Sequence, residues 1–276
     1  MYPLVNVVIT TKNEEKNIEN CLKSIRSQSY SEIEIIVVDN DSSDRTKEIA
    51  LKYTDKVFDK GPERSAQRNF GMMVKAQGEY VMYLDADMIL SPDLVSSCVD
   101  YMQKENCAAL HISEIVLGQS FWSKVRRFER SFYDGTAIDG ARFFRKDIFM
   151  RVGGFDESMS GPEDWDIDKK IKQIGQIGLV PAEGERAVIF HNEAEFNLKK
   201  YLGKKAYYAQ SFDSYINKWG ENDPDIKKQL GLYYRFWGVF TERGKWTKMI
   251  LHPFFTLGMF FLRFLVGVSF FINRRR

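Results

Sequence analysis

The chain has 276 residues, of which 44% are hydrophobic and 28% charged, and this balance excludes a disordered or low-complexity protein. Its 40 lysines and arginines against 38 acidic residues give a net charge of +2, which argues against bulk binding of nucleic acid. The three cysteines have neither CxxC nor zinc-site spacing, so they are expected to be reduced thiols packed in a cytosolic protein.

Strands and helices alternate from the start of the chain, and no secretory leader is predicted before the first strand. The predicted elements are strand 5–10, a helix over 18–25, strand 33–40, helix 43–52, strand 56–59, helix 64–76 and a strand that ends at Asp85. This order predicts a doubly wound α/β domain with a mostly parallel sheet. Ligands bind such sheets at the carboxyl ends of the strands, so the polar groups after each strand are the candidate site.

The second half of the chain is mainly helical. Its predicted elements are helix 121–133, a strand over 137–145, a helix from about Glu163, a strand that ends at His191, and helices over 197–218 and 224–240. The aromatic stripe of the first of these helices suits either the core or an acceptor channel, and its basic residues also suit a bilayer surface. We divide the chain into a catalytic domain 1–195, a helical extension 196–245 and a hydrophobic tail 246–276.

The tail is much more apolar than the rest. Arg263 is the only charged residue in 253–272, and three arginines close the chain. About 20 apolar residues are enough to span a bilayer, but Arg263 and the basic flanks equally favour a helix in the interface or a shallow hairpin. A hairpin would turn at Pro253, Gly258 or Gly267. The phenylalanines beside an arginine cluster favour membrane association over a buried helix.

Two acidic residues, separated by a single alanine, lie at the end of the predicted strand that stops at Asp85. Asp85 and Asp87 offer the hard oxygen ligands that Mg²⁺ and Mn²⁺ prefer, although such a pair is a weak signal alone. The segments TTKNEE and DNDSSD follow the first two strands and are expected at the same edge. Their side chains suit a base and a ribose, whereas Asn13, Ser42 and Ser43 suit turns and helix caps equally well.

In chain order, TKNEE, VVDNDSSD, GPERSAQRN, LDAD, GGFDE and PEDWD resemble a family 2 glycosyltransferase with the GT-A fold, a Rossmann-like domain with flanking helices. The resemblance covers about 4–192. It implies that the donor nucleotide-diphosphate sugar is bound by Thr10, Lys12, Glu14, Asp39, Arg68 and Asp85. The family often has an aromatic residue where Lys12 stands, so Lys12 is expected to contact phosphate or the base edge. Asp85 and Asp87 are expected to hold Mn²⁺ or Mg²⁺, with Asp87 the more direct ligand.

The same resemblance assigns the catalytic base to Asp164, and the adjacent Glu163 is then expected either to support this base or to bind the acceptor. Judged without the resemblance, these acids would be the first turn of a helix, where the helix dipole favours them. His191 is either a further metal ligand or a structural histidine. Lys205 and its neighbours Lys204, Tyr207 and Tyr208 either close over the donor diphosphate or form a solvated basic face.

The predicted function is therefore metal-dependent, inverting transfer of a hexose from GDP-mannose or a UDP-sugar to a hydroxyl acceptor, with GDP-mannose slightly favoured. The tail suggests a lipid-linked acceptor, such as a polyprenyl-phosphate or polyprenyl-diphosphate glycan, at the cytoplasmic face of the cell membrane. A sugar nucleotidyltransferase is one alternative, although TTKNEE lacks the glycine-rich loop of that class. The other is a catalytically silent membrane protein that binds nucleotide sugars.

Overall fold

The computed structural model describes residues 2–209 and 211–274. Its strands are β1 (Val5–Thr11), β2 (Ile33–Asp39), β3 (Val57–Asp59), β4 (Tyr80–Asp85), β5 (Met88–Leu90), β6 (Ala109–His111), β7 (Glu114–Val116), β8 (Phe143–Arg145), β9 (Ile177–Leu179) and β10 (Ile189–His191). The α-helices are α1 (Ile18–Arg26), α2 (Thr46–Ala50), α3 (Arg64–Asn69), α4 (Leu94–Glu105), α5 (Phe121–Arg130), α6 (Lys146–Arg151), α7 (Glu163–Lys172), α8 (Leu198–Ala209), α9 (Phe212–Trp219), α10 (Pro224–Leu230), α11 (Val239–Thr241), α12 (Trp246–Leu251) and α13 (Pro253–Arg274). Short π-helical segments cover Phe70–Lys75 and Tyr234–Gly238, and 3₁₀ turns cover Glu183–Glu185 and Glu242–Gly244.

The first of two compact units contains Met1–Glu114, Gly140–Ser158 and Glu163–Asn192. It is built on a seven-stranded sheet of order β3–β2–β1–β4–β8–β6–β9, and a second sheet has the order β5–β10–β7. Strands β3, β2, β1 and β4 are mutually parallel, whereas β8 runs antiparallel to β4 and β6. The prediction of a mostly parallel α/β sheet with flanking helices is confirmed.

The main sheet is buried on both faces, which explains why its central strands are continuous apolar runs. Every residue of β1 is buried. Val5, Val7 and Ile9 point into one apolar core with the buried face of α1, and Val8 points into the other. Side chains alternate between the faces of a strand, so one seven-residue strand serves both cores and leaves its polar end at the sheet edge.

Several predicted elements have different bounds in the structure. The helix predicted over 64–76 begins as α3 and continues as a π-helical segment, and the strand predicted over 137–145 is only Phe143–Arg145. The helix predicted over 197–218 is two helices, α8 and α9. The one predicted over 224–240 is divided at Gly231, whose extended backbone ends α10. Helical spacing of apolar residues identified these segments, but it does not reveal where one helix ends and the next begins.

The second compact unit contains Ile115–Asp139, Met159–Pro162 and Glu193–Arg276. The sequence-based division into 1–195, 196–245 and 246–276 stays a prediction, and the compact units differ from it because α5 packs within the helical unit. Gly258 of α13 brings the two helices close, since a Cβ there would lie 2.8 Å from Val125 Cγ2. Phe255 of α13 packs on Phe121 and Phe128 of α5. Val125 and Phe128 of the aromatic stripe are therefore core, whereas Phe121 is 46% exposed.

Residues 253–274 of the apolar tail form one continuous helix, α13, so no hairpin turns at Gly258 or Gly267. Pro253 starts this helix, where its missing N–H is not needed, and Gly258 and Gly267 lie inside it. Arg263 is buried against Glu129 of α5, which accounts for a charge in an apolar segment. Among the described residues, no helix has the length and apolar character required to cross a membrane.

Candidate active site

The carboxyl ends of the parallel strands bring the polar clusters of the sequence together. Thr10 at the end of β1 is in register with Asp85 at the end of β4, and Thr11 is in register with Asp39 of β2. The Thr10 hydroxyl donates a hydrogen bond to Asp85 Oδ1 at 3.3 Å. The first donor-binding candidate and the metal-binding candidate are thus adjacent at this edge.

The loops after β1 and β2 are hydrogen-bonded to each other. The backbone N–H of Ser43 donates to Asn13 Oδ1 at 2.9 Å, and the backbone N–H of Asn13 donates to Ser42 Oγ at 2.8 Å. Buried Asp39 accepts hydrogen bonds from the amide and hydroxyl of Ser42 at 2.7 and 2.6 Å. Asn13, Ser42 and Asp39 shape the loops here, which is the turn role that the sequence left open for the first two. Lys12 is exposed and has no hydrogen bond or ion pair among the described residues.

A buried arginine on α3 joins Asp85 to the acidic pair of α7. The Arg68 side chain is only 2% exposed, and its NH2 donates to Asp85 Oδ1 at 3.2 Å. Its NH1 donates to Asp164 Oδ1 at 3.1 Å and lies 3.5 Å from Glu163 Oε1. The guanidinium carbon also lies 4.0 Å from the centre of the Tyr83 ring. Sequence elements that are almost 100 residues apart thereby form one charged group.

Two side chains hold Asp164 by one of its carboxylate oxygens. Oδ1 accepts the bonds from Arg68 and, at 2.9 Å, from the Tyr83 hydroxyl, and the Asp164 side chain is 29% exposed. Among the described residues, Oδ2 accepts no hydrogen bond. Gly140 provides the space for this side chain, because a Cβ at Gly140 would lie 2.8 Å from Asp164 Cβ. The result is a fixed carboxylate with one oxygen open to a ligand.

The surroundings of Asp85 and Glu163 shift the pKa values of these two acids in opposite directions. Burial would raise the pKa of Asp85, but the charges of Arg68, Arg64 and Arg142 outweigh it and hold that pKa well below its ordinary value. Burial and the adjacent Asp164 raise the pKa of Glu163, and Arg68 and Arg64 offset only part of this. Asp85 is therefore an anion at neutral pH, as a metal ligand must be.

A second buried chain of charges supports Asp87. His191 Nε2 lies 3.3 Å from Asp87 Oδ2, and His191 Nδ1 lies 3.7 Å from Glu114 Oε2. Glu114 in turn accepts a hydrogen bond from Arg142 Nε at 2.6 Å. Burial would lower the pKa of His191, but the two carboxylates raise it to about 10. Histidine oriented by a carboxylate on its other nitrogen is the arrangement that positions metal ligands in many proteins.

The fit of this edge to a divalent cation rests on the donor atoms present. Asp87 Oδ1 is buried and has no hydrogen-bond partner among the described residues, so it lacks the compensation that a buried carboxylate oxygen needs. Burial raises the pKa of Glu14, a hydrogen bond from Asn17 opposes this, and the charges of Asp87 and Asp85 raise it further. In the described part of the chain, no three His, Cys, Asp or Glu side chains form a ready metal-binding group. Asp85, Asp87 and His191 would hold such a cation, and His191 would then give up its ion pair with Asp87.

The last donor-binding candidate is Lys205. Lys205 belongs to α8 in the second unit, where its charged neighbours include Arg126 and Glu129. Asp168, one helical turn after Asp164, is buried and contacts His111 Nε2 at 2.6 Å and the Ala141 amide at 3.0 Å. Asp168 therefore anchors α7 to the sheet.

Sequence reasoning missed four residues of this site: Tyr83, Glu114, Gly140 and Arg142. Tyr83 carried a usable signal, because it lies two residues before Asp85 on the same strand and so faces the same side. Glu114 and Arg142 are brought to His191 and Asp85 only by the pairing of distant strands. No local pattern marks them.

A sequence profile described as glycosyl transferase family 2 matches residues 6–155, more than half of the chain. A GalNAc(5)-diNAcBac-PP-undecaprenol beta-1,3-glucosyltransferase from Campylobacter jejuni is 27% identical over 223 residues, which is 77% of this chain and 64% of the relative. The chain spans less than two thirds of the length of the first curated relatives it matches. The predicted resemblance is confirmed, and the match favours a glycosyltransferase over a sugar nucleotidyltransferase.

Two solved structures show the same fold. The mannosyltransferase PcManGT from Pyrobaculum calidifontis, in complex with GDP-Man and Mn2+, has a TM-score of 0.64 at 20% identity and covers 99% of this chain and 86% of its own. S. aureus TarS in complex with UDP-GlcNAc has a TM-score of 0.60 at 18% identity, covering 84% and 73%. At these identities the likeness establishes the GT-A fold alone.

Proposed function

We propose that this chain, which belongs to glycosyl transferase family 2, transfers a sugar from a nucleotide-diphosphate donor to a hydroxyl acceptor. The observation that carries the proposal is the placement of Arg68 between Asp85 and Asp164. This placement puts the proposed cation-binding acid and the proposed base on either side of one buried guanidinium. A base and a leaving-group site must be close together for a direct displacement at the sugar carbon.

In the proposed mechanism Asp164 is the general base of an inverting, single displacement. Its Oδ2 takes the proton of the acceptor hydroxyl as that oxygen bonds to the anomeric carbon and the bond to the donor diphosphate breaks. Tyr83 and Arg68 fix Oδ1 and so orient the carboxylate toward the acceptor. The buried carboxylate of Glu163 pairs with Arg68 and Arg64 and so positions both guanidinium groups.

Asp87, Asp85 and His191 are the residues we propose to hold Mn²⁺ or Mg²⁺. The buried, unpartnered Asp87 Oδ1 supports this assignment. A bound divalent cation would stabilise the negative charge that develops on the departing diphosphate. Arg68 and Arg64, which lie near Asp85, would add fixed positive charge beside this cation.

The donor nucleotide is assigned to the edge formed by β1 and β2, through Thr10, Lys12, Glu14 and Asp39. The Asn13–Ser43 contact fixes the two loops that present these residues. GDP-mannose is our first choice of donor and a UDP-sugar the second. The complex of PcManGT with GDP-Man supports the former, and that of TarS with UDP-GlcNAc supports the latter.

We further infer a lipid-linked acceptor and action at the cytoplasmic face of the cell membrane. The support is an exposed apolar stripe on α13, in which Phe254 is 77%, Leu257 69% and Phe264 61% exposed. Apolar residues this exposed on one helix face are typical of an interfacial helix. The Campylobacter relative, named for a PP-undecaprenol acceptor, points to the same acceptor class.

The substitution Asp164→Asn tests the assignment of the base. The amide oxygen keeps the bonds from Tyr83 and Arg68 but cannot take a proton, so we expect transfer to fall at least about a hundredfold. Donor affinity, measured by calorimetry, should change less than about twofold. Asp147→Asn, at an exposed aspartate of the same unit, is the matched control and should behave as wild type. Full transfer by Asp164→Asn would remove this residue from the base role.

A further inference from the structure

One cluster of side chains in the second unit holds more positive than negative charge. Seven side chains, which we name the basic cluster, come from four segments of this unit: Arg126, Glu129, Tyr133, Tyr201, Lys205, Arg235 and Arg263. Four are cations and one is a carboxylate. Arg126 and Arg263 are buried, at 7% exposed each, so bulk water cannot screen their charges fully.

The single carboxylate of the basic cluster is already fully engaged. Glu129 Oε2 pairs with Arg126 NH1. Glu129 Oε1 accepts a hydrogen bond from the Tyr133 hydroxyl at 2.7 Å and lies 3.0 Å from Arg263 Nε. At the edge of the cluster, Glu193 Oε1 lies 3.5 Å from Arg126 NH2. Even when Glu193 is counted, the cations exceed the carboxylates.

Lys205 is the member with the least compensation. Its ammonium lies 5.7 Å from the centre of the Tyr201 ring, and among the described residues it has no ion pair or hydrogen bond. Burial and the charges of Arg126 and Arg235 lower the pKa of Lys205 to about 7, while Glu129 opposes them and Lys204 adds to them. A half-buried lysine in the field of two arginines is unfavourable unless an anion joins them.

A donor of Arg126 also lacks an acceptor. Arg126 Nε is buried and has no hydrogen-bond partner among the described residues. Burial and the charge of Arg263 lower the pKa of Arg235, which indicates that positive charges crowd one another here too. A phosphate group has several charged oxygens, and guanidinium and ammonium groups bind them with strong, charge-assisted hydrogen bonds.

We propose that the basic cluster is an anion-binding site that takes the phosphate or diphosphate group of the lipid-linked acceptor. The proposal deepens the proposed function and rests on it for the class of acceptor. The same helix supplies both parts of such a ligand's binding surface, because Arg263 of α13 is buried in the cluster while Phe261 and Phe264 beside it are exposed. A phosphate on a long apolar chain matches this pairing of charge and apolar surface.

The test uses the full chain in EDTA, so that no divalent cation supports diphosphate binding at the donor site. Calorimetry with inorganic diphosphate measures the affinity for the headgroup chemistry. Flotation with phosphatidylcholine vesicles, with and without polyprenyl phosphate, measures the affinity for the lipid form. The variant is Lys205→Met, which keeps the apolar stem and leaves no carboxylate unpaired, and Lys204→Met, exposed on the same helix, is the matched control.

We expect Lys205→Met to weaken the binding of diphosphate at least about tenfold. The increase in flotation that polyprenyl phosphate causes should fall by a similar factor. Lys204→Met should stay close to wild type in both measurements. The melting temperature of Lys205→Met should equal or exceed that of wild type, because one of several crowded cations is gone. A lysine with a purely structural role would instead lower the melting temperature.

Wild-type binding by Lys205→Met would overturn the proposal, as would failure of the wild-type protein to bind either ligand. Competition by UDP or GDP for the same Lys205-dependent binding would also overturn it, because the site would then hold the donor diphosphate. Failure of the proposed function has its own signature, no sugar transfer by the wild-type protein from any nucleotide-diphosphate donor, so the two can be told apart.

Discussion

At the scale of single residues, the central feature is one arginine shared by three carboxylates. Arg68 contacts Asp85, Glu163 and Asp164, and its side chain is almost completely buried. A buried guanidinium is stable only when it is paired, and these acids pair it. The acids in turn differ in titration, since the arginine charges lower the pKa of Asp85 while burial raises that of Glu163. One side chain thus sets both the geometry and the charge of the proposed site.

Gly140 gives a test of how tightly the proposed base must be placed. In Gly140→Ala the new Cβ would lie 2.8 Å from Asp164 Cβ, closer than real contacts allow, so Asp164 must shift. We expect turnover to fall at least about tenfold, because small displacements of a catalytic group are costly, with donor affinity nearly unchanged. Steady-state kinetics and donor calorimetry on the same preparation measure the two effects.

The matched control is Gly203→Ala on α8, where an added Cβ meets no atom within 4 Å. This variant should keep wild-type turnover and gain slightly in stability, since alanine favours a helix. If Gly140→Ala turned over as fast as Gly203→Ala, the position of Asp164 would not limit the reaction.

At the scale of elements, α5 and α13 are joined by a buried ion pair as well as by aromatic packing. Glu129 of α5 lies 3.0 Å from Arg263 of α13. Burial would raise the pKa of Glu129, but the charges of Arg126 and Arg263 lower it to about 2. A carboxylate whose pKa is lower in the folded state stabilises that state when it is ionised.

The pH dependence of stability follows from that pKa. Relative to Glu129→Gln, the wild-type advantage should be full above about pH 4.5, shrink as the pH falls, and vanish near pH 2. At pH 7 we expect an advantage on the order of 3 kcal/mol, because the glutamine leaves two buried arginines underpaired. Urea unfolding between pH 3 and pH 7 measures it. Glu221→Gln, at an exposed glutamate of the same unit, should show no such profile, and a pH-independent difference for Glu129→Gln would contradict the account.

The exposed apolar face of α13 predicts that this helix contributes to binding of membranes. The triple variant Phe254→Ser, Leu257→Ser and Phe264→Ser removes the centre of the apolar stripe without touching the face that packs on α5. We expect its binding to anionic vesicles, measured by sedimentation, to fall at least about tenfold, because buried apolar area drives interfacial binding.

The control for the stripe is the double variant Leu51→Ser and Val74→Ser, at two apolar residues of the first unit that are similarly exposed. This variant should sediment with vesicles as the wild-type protein does. Equal vesicle binding by the triple variant and the wild type would place the membrane contact elsewhere on the chain.

At the scale of the whole molecule, the sequence predicted what local patterns determine. Continuous apolar runs identified β1, β2 and β4, and the order of strands and helices predicted that their polar ends meet at one edge. The acidic start of α7 also lies where its motif suggested. These features depend on neighbours in the sequence.

What depends on distant neighbours was not predictable. The pairing of Arg68 with Asp164 joins residues 96 positions apart, and the Glu114–Arg142 pair depends on strand pairing. The assignment of α5 to the helical unit follows from packing against α13, which no periodicity reveals. Arg263 looked like an obstacle to membrane insertion, whereas its partner Glu129 lies 134 residues earlier in the chain.

The most direct test of the central claim is nucleotide release from a panel of donors by the full chain. GDP-mannose, UDP-glucose, UDP-galactose and UDP-N-acetylglucosamine are each incubated with Mn²⁺ or with EDTA. We predict that one donor is cleaved with Mn²⁺, that EDTA abolishes the release, and that Asp87→Ala abolishes it as well. Release from no donor, or equal release in EDTA, would contradict metal-dependent sugar transfer at Asp85, Asp87 and Asp164.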